Sequence, residues 1–114
     1  MENNLRILEN IKNFKGGDNR DVPVNPKSIV DMIELVQLCN KYKIPQPEVF
    51  PYSGGDGVQA EWSYNWYLEI DSNSSGISFF FVNSQDYDNP IEGRFDDMKN
   101  AFLLVKEFIE NIVK

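Results

Sequence analysis

Two stretches of strict alternation, Val58-Gln59-Ala60-Glu61-Trp62 and Trp66-Tyr67-Leu68-Glu69-Ile70, constrain this chain more than anything else in it. Successive strand side chains point to opposite faces, so each stretch gathers its apolar residues on one side. The three residues between them leave room only for a hairpin. If Val58, Ala60 and Trp62 share a face with Trp66, Leu68 and Ile70, parity predicts Trp62 opposite Trp66, Glu61 opposite Tyr67 and Gln59 opposite Glu69, around a Ser63-Tyr64-Asn65 loop. Asparagine suits the left-handed position that closes such a loop. A sheet with one apolar face needs a cover, and the rest of the chain has to supply it.

Three amphipathic segments can do so. Leu5, Leu8 and Ile11, with Ile7 and Phe14 beside them, predict a first helix ending after Lys15 at Gly16-Gly17. A polar connection from Asp18 to Val24 follows. Asn25-Pro26 then offers a cap and a proline at the first helical position, opening a second helix that reaches about Tyr42. Its stripe is Ile29, Met32, Ile33, Val36 and Cys39, and Val30, Leu35 and Leu38 widen the arc, which predicts heavy burial. The clearest helix is the last, where Met98, Ala101, Phe102, Val105, Phe108, Ile109 and Ile112 repeat at i, i+3, i+4, i+7 behind Asp96 and Asp97.

Between the helices, Pro45, Pro47 and Pro51 hold the chain extended, and Gly54-Gly55-Asp56-Gly57 reads as a turn. After the turn Ser72-Asn73-Ser74-Ser75-Gly76, residues 77–82 form a strand that is apolar on both faces apart from Ser78, and so central or covered. Residues 83–93 read as a polar loop with a short edge strand around Ile91. The expected architecture is a single α+β domain over residues 1–114, an antiparallel meander of three to four strands with helices on one face, in the order α-α-β-β-β-(β)-α. At 114 residues and 41% hydrophobic content the chain can bury one core of its own.

Charge and residue usage narrow the function. Eighteen acidic residues against eleven basic ones give a net charge of −7, which opposes nucleic-acid phosphates and anionic lipid and favours a basic protein partner. The start, Met1-Glu2-Asn3-Asn4-Leu5-Arg6, has acid and amide groups where a secretory signal needs a basic cluster, and no apolar run approaches the ~20 residues of a membrane helix. A single cysteine, Cys39, forbids an internal disulfide and sits in an apolar helical pattern as a core thiol. These features predict a cytoplasmic protein. The chain has no histidine, which removes every Ser-His-Asp or Cys-His arrangement and the commonest neutral-pH base and metal ligand. The glycine turn lacks a following Gly-Lys-Ser/Thr and leads into a strand, so it is no phosphate loop. Asp86, Asp88 and Glu92 lack the spacing and central glycine of a calcium loop. No catalytic residue, metal site or cofactor is therefore expected.

What remains is the polar face of the hairpin, with Gln59, Glu61, Tyr67, Glu69 and Asp71, flanked by Tyr52, Tyr64 and Tyr87 if the loops fold towards it. Tyrosine offers large contact area at low rotamer entropy, and clustered carboxylates speed encounter with a basic partner. The plainer reading is a solvated strand face whose tyrosines merely suit strands and turns. A hydrolase built on Glu61 and Glu69 would need a cleft that raises one carboxyl, whereas an open sheet face is expected to leave both ordinary.

The run Pro51-Tyr52-Ser53-Gly54-Gly55-Asp56-Gly57-Val58-Gln59-Ala60-Glu61-Trp62, followed by Tyr67-Leu68-Glu69-Ile70, resembles a group of small bacterial proteins with a Gly-Val-Gln-x-Glu-Trp strand and a Leu-Glu-Ile strand. In size, acidity and helix-sheet plan the chain is also similar to immunity proteins of contact-dependent growth inhibition and related toxin systems. That resemblance implies an intracellular immunity protein or antitoxin that blocks a basic toxin domain, such as a nuclease. The competing expectations are a self-associating accessory domain, with a homodimer covering the Phe79-Phe80-Phe81 strand, and a small carboxylate-dependent hydrolase.

Overall fold

In the computed structural model, which describes residues 1–12, 24–51, 55–83 and 86–112, the chain runs α1 (Glu2–Lys12), α2 (Pro26–Lys41), β1 (Glu48–Pro51), β2 (Val58–Ser63), β3 (Trp66–Asn73), β4 (Gly76–Asn83), β5 (Asp86–Phe95) and α3 (Met98–Ile112). The strands form one antiparallel sheet in sequence order, β1-β2-β3-β4-β5. The α+β meander expected from the sequence is present, with five strands where three to four were expected. The first extra strand is β1. It begins after Pro47 and ends at Pro51, so the prolines that break regular structure also bracket an extended segment able to pair along β2. The other difference is β5, which runs ten residues where a short edge strand was expected. A register shift between Phe81 and Asn83 lets its polar first half stay paired.

Local chemistry sets the helix ends. The Asn25 side chain accepts the Lys27 N–H at 3.0 Å to cap α2, with Pro26 in the first turn. Asp97 Oδ1 accepts the Asn100 N–H at 2.9 Å and does the same for α3. Phe14, Lys15, Gly16-Gly17, most of the expected connection and the tip of the glycine turn lie outside the described residues.

The apolar face of the sheet carries Val49, Val58, Ala60, Trp62, Trp66, Leu68, Ile70, Ile77, Phe79 and Phe81, all buried. The helices cover it. From α3, Phe108 stacks on Phe81 with ring centroids 4.6 Å apart, and Met98, Ala101, Phe102, Val105 and Ile109 are buried in the same core. From α2, Met32, Leu35, Val36 and Cys39 are wholly enclosed, and burial pushes the Cys39 thiol up to about 12, as suits a core residue. Val30 does not join them: at 65% exposed it faces solvent, and the apolar arc of α2 is narrower than its sequence predicts.

Polar pins lock the layers. Buried Asn4 donates to Gln46 Oε1 at 2.8 Å and to the Pro47 carbonyl at 3.0 Å, tying α1 to the segment entering β1. Gln46 in turn donates to the Val36 carbonyl, and the Trp62 indole N–H donates to the Pro45 carbonyl at 2.6 Å. Ser72 of β3 donates to Asp31 of α2 at 2.8 Å.

The hairpin keeps the expected faces but moves in register. Trp62 pairs with Leu68, Glu61 with Glu69 and Gln59 with Asp71, two residues from the expected pairing. The ladder continues through Ser63 and Tyr67, and the Tyr64 N–H donates to the Trp66 carbonyl at 2.8 Å, so the chain reverses tightly around Asn65. A slip of two leaves every side chain on its own face, which is why parity identified the faces and left the register open. Trp66 packs against Tyr64 and Phe81 in place of Trp62.

Candidate functional site

The other face of the sheet carries no helix among the described residues. Cross-strand register sorts its side chains into transverse rows. One row reads Glu48, Glu61, Glu69, Phe80, Glu92 from β1 to β5. The next reads Phe50, Gln59, Asp71, Ser78, Arg94. Like charges directly opposite one another destabilise a sheet, so Glu61 against Glu69 calls for a compensating contact.

Tyr67 supplies it. Its hydroxyl reaches Glu69 Oε1 at 2.7 Å and Glu61 Oε2 at 2.9 Å, and Gln59 Nε2 donates to the same Glu69 oxygen at 2.7 Å. A phenol carries one proton, which it can give to only one carboxylate at a time. Burial first, then the hydrogen bonds to Glu69 and Glu61, push the Tyr67 hydroxyl far above its ordinary value and keep that proton in place. Gln59 is buried beneath the group, and Phe80 meets the Tyr67 ring edge-on at 6.3 Å.

Asp71 lies two residues beyond Glu69 on β3, on the same face. Its Oδ1 is buried and meets no hydrogen-bond donor among the described residues. Two carboxyls this close favour a proton shared between them, and the surroundings of Asp71 raise its affinity for that proton. Burial, then the hydrogen bond to Glu69, then the Glu69 charge raise Asp71 from 3.8 to about 8. Burial and the neighbouring Glu69 together favour the acid form of Asp71 at neutral pH, at a position that the sequence reading of Glu61 and Glu69 did not address. An open trough of about 430 Å³ runs beside it, lined by Glu69, Asp71, Ser78, Phe80, Glu92 and Arg94.

Of the residues singled out from sequence, Gln59, Glu61, Tyr67 and Glu69 come together in one hydrogen-bonded patch, with Asp71 beside it opposite Gln59. Tyr64 does not join them. It projects from the hairpin end, 60% exposed, and packs on Trp66 with ring centroids 4.9 Å apart, away from the carboxylates. Tyr52 lies outside the described residues, and Tyr87 is placed in β5 by its backbone alone. Sequence reasoning missed Glu48, Phe80, Glu92 and Arg94 as members of this face. The parity of Ser78 in an otherwise apolar strand was the signal that puts Phe80 outward. Asp86, Asp88 and Glu92 lie along β5 and not in a loop, and no cluster of three metal-ligating side chains occurs among the described residues. No helix among the described residues is long and apolar enough to cross a membrane.

No protein-family model matches the chain, and neither does any curated protein or solved structure, so the resemblance in the two hairpin strands rests on those residues alone.

Proposed function

We propose that the chain is an intracellular immunity protein or antitoxin whose helix-free sheet face covers the substrate groove of a basic toxin domain, with a nuclease as the best-suited target. The observation that carries this reading is the row Glu48, Glu61, Glu69, Glu92, interrupted only by Phe80. The five strands contain seven acidic residues and one basic one, Arg94, so the bias lies in the sheet itself. Such a row opposes folding, and a positive partner surface is what turns it to advantage. With strands ~4.8 Å apart the row spans about 19 Å, a length suited to lysines and arginines spaced along a phosphate-binding groove. Phe80 and Tyr67 supply the apolar centre that such an interface needs. Asp71 holds a proton in the free protein and would release it as a cation approaches.

The test is association with the product of the adjacent gene, which this reading expects to be a basic toxin domain. A one-to-one complex is expected, with an association rate that falls about tenfold in the double variant Glu61→Lys, Glu69→Lys and loses its salt dependence. Unchanged kinetics would refute the face, and failure to form a complex would refute the class.

Asp71 favours a second reading. An acid-form carboxyl beside Glu69 in an open trough is the divided pair that acid-base hydrolysis uses. Turnover of a glycoside or phosphodiester by the purified monomer, lost in Asp71→Asn, would replace the binding reading with this one. Self-association through this face is disfavoured by charge, because two-fold pairing would set the glutamate row against its own copy.

A further inference from the structure

Several lysines among the described residues are gathered on the helical side. In α3, Lys99, Phe102, Leu103 and Lys106 stand at i, i+3, i+4 and i+7, on one face of the helix. Together with Leu38, Lys41 and Tyr42 at the end of α2 they line a trough of about 470 Å³. Its floor is apolar and aromatic: Phe102 is buried, and the Tyr42 ring lies 5.5 Å from it. Tyr42 and Leu103 remain 45% and 60% exposed, an unusual position for large apolar side chains flanked by lysines. Leu103 also borders a second hollow of about 630 Å³ that Lys27 and Arg94 line. Five of the chain's eleven basic residues thus border two hollows that share one leucine.

These cations are not equally engaged. Lys27 pairs with Asp31 at 3.0 Å and Lys106 with Glu110 at 3.1 Å, each one turn along its own helix. Lys41 lies over the Tyr42 ring, 5.4 Å from its centroid, and Lys99 has no ion pair among the described residues. Lys41 and Lys99 are therefore placed to receive carboxylates on either side of the exposed leucine.

We propose that the trough between α2 and α3 binds an acidic amphipathic helix of a partner protein. Two packed helices form a groove that accepts a third, whose apolar residues at helical spacing seat on Leu103 and Tyr42 while its flanking carboxylates meet Lys41 and Lys99. A nucleic-acid strand fits less well, because it needs successive rings to stack on and the trough exposes one, Tyr42, between aliphatic Leu38 and Leu103. This site lies on the opposite layer from the glutamate row and does not depend on what that row binds.

The probe is a fluorescently labelled synthetic peptide of about 14 residues, ~21 Å long as a helix, with leucines at i, i+3, i+4, i+7 and glutamates elsewhere. Fluorescence anisotropy is expected to show saturable one-to-one binding that weakens about tenfold in Lys41→Glu with Lys99→Glu, and again in Leu103→Asp. All three positions are exposed, so the variants are expected to retain the wild-type urea midpoint. A peptide of the same composition with its periodicity scrambled should bind at least about tenfold more weakly. Absence of binding, equal binding of the scrambled peptide, or indifference to these substitutions would overturn the proposal. So would a preference for an oligothymidylate, or concentration-dependent dimerisation that Lys99→Glu abolishes, which would give the trough to a second copy of the chain.

Discussion

Replacing Asp71 by asparagine separates the charge of this carboxyl from its shape. In the folded protein Asp71 is raised from 3.8 to about 8 by burial and by Glu69. Between those values the native state holds a proton that the unfolded chain releases, so stability falls as pH rises through the window; the full contribution is present below about 4 and gone above about 8. At about 1.4 kcal/mol for each pH unit the upper bound is about 6 kcal/mol. Asp71 is only half-buried, and solvent screening reduces the realistic figure to about 2 kcal/mol, or about 8 °C in Tm for a domain of this size. The window is unusually clean, because the chain has no histidine and Cys39 titrates far above it. Asparagine keeps the volume, offers an N–H to Glu69 and has no proton to lose. Urea midpoints followed by the fluorescence of buried Trp62 and Trp66 should fall for the wild type between about pH 5.5 and 8 and stay level for Asp71→Asn. Parallel profiles for the two proteins would refute the assignment of the proton to Asp71.

Three further perturbations test other links. Tyr67→Phe keeps the ring against Phe80 but removes the hydroxyl between Glu61 and Glu69; a loss of about 1–3 kcal/mol in urea denaturation is expected, larger at low salt. In Gly57→Ala the new Cβ would stand 2.5 Å from the Ser72 carbonyl oxygen and 2.8 Å from Asn73 Cβ, so β2 must part from the end of β3, costing about 2 kcal/mol or more; an unchanged Tm would disprove that close approach. Asn4→Ala leaves the buried Pro47 carbonyl without its side-chain donor, and a loss of about 1–2 kcal/mol with faster amide exchange confined to α1 is the expected result.

The alternation at residues 58–62 and 66–70 made both faces of the hairpin legible, and the capping residues Asn25 and Asp97 marked where two helices begin. Register was not legible to the same degree. Parity cannot distinguish pairings that differ by two residues, and the choice depends on how tightly the chain turns at Asn65 and on what Trp66 packs against. The strand β1 was hidden by its own prolines, whose restriction reads as a break until a neighbouring edge is there to pair with. The members of the polar patch could be named one by one from sequence. Their shared protons could not, because the contact of Tyr67 with both glutamates follows from a register that only the folded sheet specifies. Val30 shows the opposite failure, an apolar residue in a helical stripe to which no neighbour comes.

The two outer strands bear on how the protein behaves when crowded. A sheet margin with free amides and carbonyls can template the addition of foreign chains, the first step towards fibrils. At one margin β1 is only four residues long and stands between Pro47 and Pro51. At the other, β5 is long but carries Asp86, Asp88, Pro90 and Glu92, a series that penalises stacking with a copy of itself. A folded protein guarded at both margins is expected to stay monomeric at high concentration as far as edge-to-edge pairing is concerned, whereas unfolding would remove that guard and expose the apolar strand β4.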